Sequence, residues 1–231
     1  MRPTFSLALS LSSLLIVCLS QPTRAADNQL SPQEKQGGWV LLFDGKSPAG
    51  WVSSGKPFPA ANIEDGSINP HKSGAYVSYY NEPFDNFVLS CDFKVSKGAN
   101  SGIFIRTGDM NDPVQTGFEV QIFDSAGKAP SKHSCGALYD AVAPSVEASR
   151  PTGDWNHIEI TADHSTIKIV LNGRQVVTAD LDRWTDAGKN PDGSKNKFSK
   201  ALKDFPRSGY LGFQDHNAPV WFKNVKLKRI K

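Results

Sequence analysis

The sequence has few cysteines and none of the short motifs that mark several large classes of protein. It contains only three cysteines and no CxxC pair, so neither a structural zinc site nor a thioredoxin-like redox motif has support. The HExxH, GxSxG, P-loop and strand-linked GxGxxG motifs are absent, which excludes the common zinc proteases, α/β-hydrolases and nucleotide-dependent enzymes. The net charge is only +3, from 26 basic and 23 acidic residues, so nothing indicates nucleic acid or an anionic membrane as a partner.

The N-terminus has the pattern of a secretory signal peptide. Arg2 precedes an apolar stretch at residues 5–19, and small residues precede a cleavage site after Ala25. A bilayer-spanning helix needs about 20 apolar residues, so we expect removal of residues 1–25 and no stable membrane insertion afterwards. The protein is then exported, to the periplasm or to the cell exterior. Lipid modification at Cys18 is a weaker alternative, because the residue before it is unfavourable.

Export determines how the remaining cysteines are interpreted. Only Cys91 and Cys135 stay in the mature chain. An oxidising compartment allows one disulfide between them. The position of Cys91 on an apolar strand face favours two separate buried thiols instead. Both alternatives remain open at the level of sequence.

Turn-forming residues are frequent, and helical patterns are scarce. The chain has 19 Gly and 15 Pro, and short apolar runs recur between clusters of Gly, Pro, Asn and Asp. In residues 87–95 the odd positions share one apolar face, the period-2 pattern of a half-buried strand. Asn172 and Gly173 are typical of a type I′ hairpin turn. One short helix is expected at residues 196–203, inside a polar insertion at residues 182–207.

The pattern as a whole predicts one all-β domain. Residues 26–37 are polar and are interpreted as a leader, and residues 38–231 form the domain. Ten or more short strands in a chain of this length predict a jelly-roll β-sandwich, since two packed sheets bury the alternating apolar faces. We expect one concave sheet face to carry the functional site. The oligomeric state does not follow from the sequence.

The strand at residues 117–124 is the most informative segment. Its apolar residues alternate with Glu119 and Gln121, so these two side chains project together from the face opposite the core. In the preceding strand, residues 101–106, the same alternation predicts that Arg106 faces that surface as well. Together they indicate a polar groove. The alternative is an ordinary solvated sheet face with a surface ion pair.

Further polar residues fall at the ends of predicted strands or in loops. Gln214 alternates with apolar neighbours and is expected to join the same groove. His216 follows at the end of that strand, where loops position reactive groups. His133 lies in a loop rich in small residues, which suits the rim of a site, although a lone loop histidine is usually just exposed.

Several segments together resemble a known family, the 3-keto-disaccharide hydrolase domains. The resemblance spans about residues 37–231, and the motifs are specific in their order rather than individually. The segments that carry it are GWVLLFDG (38–45), GW (50–51), NSGIFIR (100–106), GFEVQIFD (117–124), GALYD (136–140), GDWN (153–156), LNG (171–173), GFQDH (212–216) and FKNV (222–225).

This resemblance implies a concanavalin A-like or glucanase-like jelly roll that acts on small-molecule glycosides oxidised at C3. In such a substrate the C3 carbonyl acidifies the C2 hydrogen, and the leaving oxygen at C1 is β to that carbonyl. A base therefore removes the C2 proton, the enolate expels the glycosidic oxygen, and water adds to the resulting enone. The product is that of a hydrolase or, without water addition, of a lyase.

The chemistry needs a base, an electrophile for the enolate oxygen and an acid for the leaving group. Glu119 or His133 is the expected base, and Arg106 is expected to stabilise the enolate or orient the sugar. A divalent metal is a further expectation, with carboxylate and imidazole as suitable ligands from Asp124 and His133. The residues expected to contact substrate hydroxyls are Gln121, Tyr139, Gln214 and His216.

Two other functions compete with this interpretation. The first is a conventional glycosidase, because Glu119, Gln121 and Asp124 have the spacing of the catalytic acids in some jelly-roll glucanases. Gln121 cannot ionise, which puts the usual two-carboxylate mechanism in doubt. The second is a noncatalytic carbohydrate-binding sandwich. Its aromatic platforms would come from Trp51, Tyr80 and Trp184, whereas Trp39 and Trp155 are expected in the core.

Overall fold

The computed structural model describes residues 26–231. Strand accounts for 41% and helix for 9% of the structure, and the strands form two antiparallel sheets, so the predicted all-β jelly-roll sandwich is confirmed. The predicted signal peptide, with Cys18, lies outside the described residues. Within residues 26–231, no helix has both the length and the apolar character needed to cross a membrane.

Short strands dominate the described part of the chain. In chain order they are β1 (Trp39–Leu41), β2 (Trp51–Ser53), β3 (Lys56–Pro57), β4 (Ile63–Glu64), β5 (Ser67–Ile68), β6 (Val77–Phe84), β7 (Phe87–Val95), β8 (Asn100–Thr107), β9 (Phe118–Phe123), β10 (Asn156–Asp163), β11 (Thr166–Leu171), β12 (Arg174–Asp180), β13 (Gly209–Gln214) and β14 (Val220–Arg229). The helices are α1 (Pro32–Gln36) and α2 (Pro113–Thr116), with 3₁₀ turns at Ala60–Asn62, Leu181–Arg183 and Leu202–Asp204.

The strands divide between two sheets. The eight-stranded sheet has the order β12-β11-β10-β7-β14-β5-β4, with β1 also paired to β14, and the six-stranded sheet has the order β3-β2-β6-β13-β8-β9. The consecutive strands β6, β7 and β8 alternate between the sheets, as jelly-roll connections do. The predicted hairpin joins β11 to β12, and Asn172 and Gly173 both have the positive φ angles of a type I′ turn, +49° and +79°.

Apolar side chains from both sheets meet in one core. Alternate residues of β7 are buried between the sheets, as the period-2 pattern predicts. Across the layers, the rings of Phe213 and Phe222 stack with centroids 4.0 Å apart, and Trp51 stacks on Phe213 at 4.8 Å. Cys91 and Cys135 are both buried and unbonded, so the alternative of two separate thiols is the one observed.

The polar leader packs on the eight-stranded sheet. Helix α1 has a capping box in which the Ser31 hydroxyl accepts from the Glu34 N–H and the Glu34 carboxylate accepts from the Ser31 N–H. Before it, Asn28 exchanges two hydrogen bonds with Asn224 on β14. The carboxylate of Glu34 also pairs with Lys226 on the same strand. Residues 26–37 are therefore an ordered part of the sandwich.

The helix predicted at residues 196–203 is wrong, since the structure has only the 3₁₀ turn Leu202–Asp204 there. Backbone groups that a helix would pair with each other are bonded to other segments instead. The Phe198 carbonyl accepts from the Gly188 N–H, and the Lys203 N–H donates to the Trp184 carbonyl. The N–H groups of Lys197 and Ser199 donate to Asp140 and Gln115. The segment instead lies along the edge of the six-stranded sheet, where it reaches the site.

Candidate functional site

The register of the six-stranded sheet brings Glu119 to the face turned away from the core. Its neighbours on β9, Phe118 and Val120, are buried between the sheets, so Glu119 projects outward. Phe104 on β8 lies directly opposite Glu119, and Gly212 on β13 lies opposite Phe104. The outward row therefore combines a carboxylate and an aromatic ring with a glycine whose backbone is covered by the side chains of Val77 and Tyr79.

A glycine on β8 leaves room for the carboxylate to lie across the sheet. A Cβ atom at Gly102 would come within 2.6 Å of Glu119 Oε1. Without that atom, the side chain leans over the β8 backbone and reaches Gln214 on β13, whose Nε2 donates to Glu119 Oε1 at 3.2 Å. The sequence motif around residue 102 thus has a physical reason, since any larger residue would displace the carboxylate.

The Glu119 carboxylate is buried, and it lies beside the cation of Lys197 and the amide of Gln214. Its side chain is only 7% exposed, and Lys197 Nζ lies 3.6 Å from Oε2. Burial raises the pKa of Glu119, and Lys197, Gln214 and the nearby His216 offset that increase only in part. A carboxylate in this environment is a stronger base than an exposed one.

Lys197 is held against the sheet by the loop that follows β9. Its backbone N–H donates to Asp140 Oδ2 at 2.7 Å, and its ammonium group lies 4.0 Å from the centre of the Tyr139 ring. The other oxygen of Asp140 lies 3.2 Å from Nε2 of His133, whose ring contacts Tyr139 at a centroid distance of 4.9 Å. Tyr139 and His133 thus form one rim of the site, with the exposed histidine on its outer side.

Tyr76, just before β6, forms the opposite side. Its hydroxyl oxygen accepts a hydrogen bond from Gln214 Nε2 at 2.6 Å, which joins it to Glu119 through a single amide. Burial of the hydroxyl raises the pKa of Tyr76 to about 12, so the phenol stays protonated at neutral pH. Because its oxygen already accepts from Gln214, its own proton remains available to a substrate.

The predicted residues around Glu119 are brought together, with two additions. Gln121 lies beside it, with its amide nitrogen 2.8 Å from Asn100 Oδ1; exchange of its amide oxygen and nitrogen brings an N–H within 3.3 Å of Glu119 Oε1. Sequence reasoning missed Lys197 and Tyr76. Both come from segments without strand periodicity, so no pattern marked them.

Arg106 does not belong to this cluster, and the prediction that it shares the face of Glu119 is wrong. It has a φ of +52°, and the pairing of β13 with β8 shifts register at this point, as at a β-bulge. The bulge turns the side chain toward the other sheet. There the buried guanidinium donates to Asp85 O, His164 O and Asn86 Oδ1. Arg106 therefore ties the two sheets together.

Asp124 also lies apart from the cluster. One carboxylate oxygen accepts from the Gly98 N–H at 2.8 Å and the other from the Thr152 hydroxyl at 2.7 Å, and these bonds lower the pKa of Asp124. Among residues 26–231, no group of three or more His, Cys, Asp or Glu side chains is placed to hold a metal ion. The expected ligands Asp124 and His133 thus do not form a site that fits a divalent metal.

The aromatic platforms of a carbohydrate-binding module are not present where they were predicted. Trp51 is 1% and Trp184 5% exposed, so both are core residues, and Tyr80 is half-buried against Trp51. Trp39 and Trp155 were expected in the core, and this expectation is wrong as well. Both are half-buried at the surface, with lysine ammonium groups over their rings.

The site is thus a buried carboxylate among amide, phenol and ammonium groups on the outer face of a β-sandwich. The sequence profile of the 3-keto-alpha-glucoside-1,2-lyase-like domain matches residues 38–228. The chain belongs to this family, which confirms the resemblance found in its motifs.

Known relatives agree with this assignment. A 3-keto-disaccharide hydrolase from Bacteroides thetaiotaomicron is 30% identical over an alignment of 227 positions, which covers 83% of this chain and 78% of the relative. Two crystal structures from Parabacteroides distasonis, of proteins with a proposed glycosyl hydrolase activity, are similar in fold. One is 27% identical with a TM-score of 0.70 and covers 83% of this chain and 99% of its own. The other is 25% identical with a TM-score of 0.73, at 89% and 100% coverage.

Proposed function

We propose that the protein cleaves 3-keto-glycosides by removing the C2 proton and eliminating the glycosidic oxygen, after which water adds to the unsaturated product. The observation that carries this proposal is the environment of Glu119, a buried carboxylate with a raised pKa beside an ammonium group and, through Gln214, a phenol. The name of the Bacteroides relative supports the substrate class.

Glu119 acts as the base. Its carboxylate takes the proton from C2, and the electron pair of that C–H bond forms the enolate with the C3 carbonyl. A base with a raised pKa suits this step, because a hydrogen next to a ketone is only weakly acidic. His133, the other base expected from the sequence, is exposed and lies against Asp140 at the rim, so we place it in substrate contact instead.

Lys197 stabilises the enolate. It is a cation beside the base, and its side chain is only one-third exposed, so its charge is partly shielded from water. It takes the role that the sequence assigned to Arg106. When the C2 proton neutralises Glu119, Lys197 loses its carboxylate partner and its charge is directed at the developing oxyanion.

Tyr76 donates the proton to the leaving oxygen. The enolate electrons form the C1–C2 double bond, the C1–O bond breaks, and the phenol proton goes to the departing oxygen. In the second stage, water adds its oxygen to C1 and gives its proton to the Tyr76 phenolate. The proton held by Glu119 then returns to C2, which leaves a 3-keto sugar and restores both groups.

Amide and ring groups around the carboxylate hold the sugar. Gln214 Oε1 is buried and has no hydrogen-bond partner within the described structure, so a sugar hydroxyl is a suitable donor to it. Gln121 and Tyr139 lie beside the carboxylate on either side, and His216 is exposed nearby. These residues provide the remaining hydroxyl contacts.

The contacts of Asp124 favour elimination over a conventional glycosidase. The two-carboxylate mechanism needs a second acid close to the first. Asp124, which has the corresponding spacing in the sequence, is bonded to Gly98 and Thr152. Gln121, which lies between Glu119 and Asp124 in the sequence, cannot ionise.

The test compares methyl glucoside with methyl 3-keto-glucoside, following aglycone release and the absorbance of a conjugated enone. We expect turnover of the keto compound alone, with transient enone when water addition is slow. Cleavage of the unmodified glucoside would contradict the proposal and indicate a conventional glycosidase. Glycan binding without turnover of either compound would indicate a binding module. A parallel reaction with chelator tests the metal expected from the sequence.

We also propose that the protein acts after export, since residues 1–25 carry the charge, apolar and small-residue pattern of a signal peptide. Mass spectrometry of the protein from fractionated cells tests this. We expect an N-terminus near residue 26 in the periplasmic or secreted fraction, and an uncut chain in the cytoplasm would contradict it.

A further inference from the structure

A pocket opens on the outer face of the six-stranded sheet, next to the carboxylate cluster around Glu119. It encloses about 430 Å³, within the range of roughly 300–1,000 Å³ that small-molecule sites occupy. Tyr76 lines this pocket and also accepts the hydrogen bond from Gln214. The Tyr76 side chain therefore lines the pocket and also takes part in the carboxylate cluster around Glu119. The apolar residues lining the pocket are Val52, Ala75, Val77, Met110 and Pro113, with Tyr79 among them.

Strand register sets the direction from this pocket to the base. Val52 on β2 lies opposite Tyr79 on β6, and Tyr79 lies opposite Gly212 on β13. The same row continues through Phe104 to Glu119. The pocket and the carboxylate thus occupy the two ends of one row. Between them lie Phe104, whose ring contacts Tyr76, and Gly212, whose missing Cβ leaves room for the side chains of Val77 and Tyr79.

The pocket is apolar where the carboxylate cluster is polar. Val77, Tyr79 and Phe104 form a small hydrophobic cluster outside the main core, and Met110 from the β8–β9 connection packs against it. Only Ser54 and Asn111 among the lining residues have short polar side chains. A second sugar ring would need partners for its several hydroxyls, whereas an apolar ring needs none.

We propose that this pocket is the leaving-group subsite and that it selects glycosides with an apolar, ring-sized aglycone over those with a second sugar. The inference rests on the proposed function, which places the glycosidic oxygen at Tyr76. With the sugar over Glu119 and its C1 oxygen at Tyr76, the aglycone extends along the row toward Tyr79 and Met110. Burial of its ring then contributes binding energy that a methyl aglycone does not provide.

The kinetic test uses aglycones of different size: methyl and benzyl alkoxides have similar basicity, and the sugar alkoxide is a better leaving group, so a preference for benzyl over either cannot come from leaving-group basicity. Benzyl, methyl and glucosyl 3-keto-glucosides are compared, each as both anomers. We expect kcat/KM for the benzyl compound to exceed those of the other two by roughly tenfold or more. Turnover of methyl 3-keto-glucoside with no benzyl preference would overturn this inference alone. Absence of turnover with every keto compound would overturn the proposed function.

A variant in the pocket wall localises the preference. Met110→Ser removes apolar surface from a partly exposed loop residue, and we expect it to lower kcat/KM for the benzyl compound at least fivefold more than for the methyl compound. The matched control is Val40→Ser, an exposed apolar residue on β1 of the other sheet, which we expect to change neither. An equal loss for both substrates in Met110→Ser would contradict a leaving-group subsite.

A binding measurement keeps the inference testable without turnover. Met1 and Met110 are the two methionines of the chain. Methyl-labelled full-length protein therefore gives few resonances, and Met110→Leu assigns that of Met110. We expect benzyl glucoside, which lacks the keto group, to shift the Met110 methyl resonance through its ring current, and methyl glucoside to leave it in place. No shift at saturating benzyl glucoside would overturn the proposal.

Discussion

Lys197 Nζ lies 3.6 Å from Glu119 Oε2, so an irregular segment after β12 supplies the cation for a carboxylate on β9. The carboxylate is buried and the lysine is one-third exposed. Burial acts against the charged form of Glu119, and Lys197 acts in its favour. The pair thereby keeps an ionised base in a site that is otherwise unfavourable to charge.

Glu119→Gln should abolish turnover while leaving the fold intact. The amide has nearly the same shape but cannot take a proton from C2, so we expect kcat on 3-keto-glucosides to fall by roughly a thousandfold. Glu159→Gln, on β10 of the other sheet, is the matched control and should keep full activity. Retained turnover in Glu119→Gln would remove the residue from the role of base.

The same variant should change stability in a pH-dependent way. Burial raises the folded-state pKa of Glu119 above its ordinary value of 4.5, so the native state is penalised when the group is ionised. The penalty is absent below pH 4.5 and fully present above the folded-state pKa. Glu119→Gln should therefore raise the melting temperature at pH 8 more than at pH 4, and equal effects at both pH values would contradict the pKa direction.

Lys197→Met should lower kcat and move the pH profile. Loss of the cation removes enolate stabilisation, which we expect to cost roughly 100-fold in kcat. It also removes an interaction that lowers the pKa of Glu119, so the acidic limb of kcat/KM should shift to higher pH. Lys203→Met, at an exposed lysine that pairs with Asp204, is the control. A profile that stays in place would exclude coupling between Lys197 and the base.

Tyr76→Phe should reveal the acid through its dependence on the leaving group. Without the phenol proton, cleavage of methyl 3-keto-glucoside should slow by roughly 100-fold, whereas 4-nitrophenyl 3-keto-glucoside should be affected far less. The ring remains and the residue is 47% exposed, so the loss is confined to the hydrogen bond from Gln214, at an expected cost of about 1 kcal/mol. Tyr80→Phe serves as the control. Equal losses for both substrates would contradict the acid role.

Arg106→Met should destabilise the fold rather than alter the chemistry selectively. It removes three hydrogen bonds of a buried guanidinium and leaves the Asp85 and His164 carbonyls without that donor, whereas Asn86 Oδ1 keeps the bond from the His164 N–H; we expect a cost of about 2–3 kcal/mol. Urea denaturation measures this, with the exposed Arg150→Met expected to change stability by less than about 0.5 kcal/mol. A variant with normal stability and no activity would contradict this and indicate that Arg106 has a direct role in the reaction.

Period-2 alternation predicted the parts of the site that lie on regular strands. It placed Glu119 and Gln121 on one face of β9, and Gln214 on β13, because each is flanked by residues that must be buried. The same rule failed for Arg106, since it assumes a strand without a bulge. A Cβ atom at Gly209 would lie 2.4 Å from Thr107 O, so the bulge is accommodated by a glycine on the neighbouring strand, a relationship visible only after folding.

The remaining site residues depend on long-range packing. Lys197 reaches the carboxylate because Asp140 and Gln115 bond the backbone of its segment, contacts that no local pattern encodes. Tyr76 precedes β6, in which buried residues are followed by a block of exposed ones, so the period-2 pattern of a strand is missing there. The aromatic platforms were misplaced for a related reason. Trp51 follows a glycine and lies in a segment with several turn-forming and polar residues, but it stacks on Phe213 in the core.

The measurement that tests the central claim most directly follows the hydrogen at C2. Single-turnover cleavage of methyl 3-keto-glucoside is followed with hydrogen and with deuterium at C2. The account predicts that aglycone release is slower from the deuterated compound, because the C2–H bond breaks during cleavage, and that Glu119→Gln abolishes release from both. Equal rates for the two compounds would contradict proton abstraction and elimination.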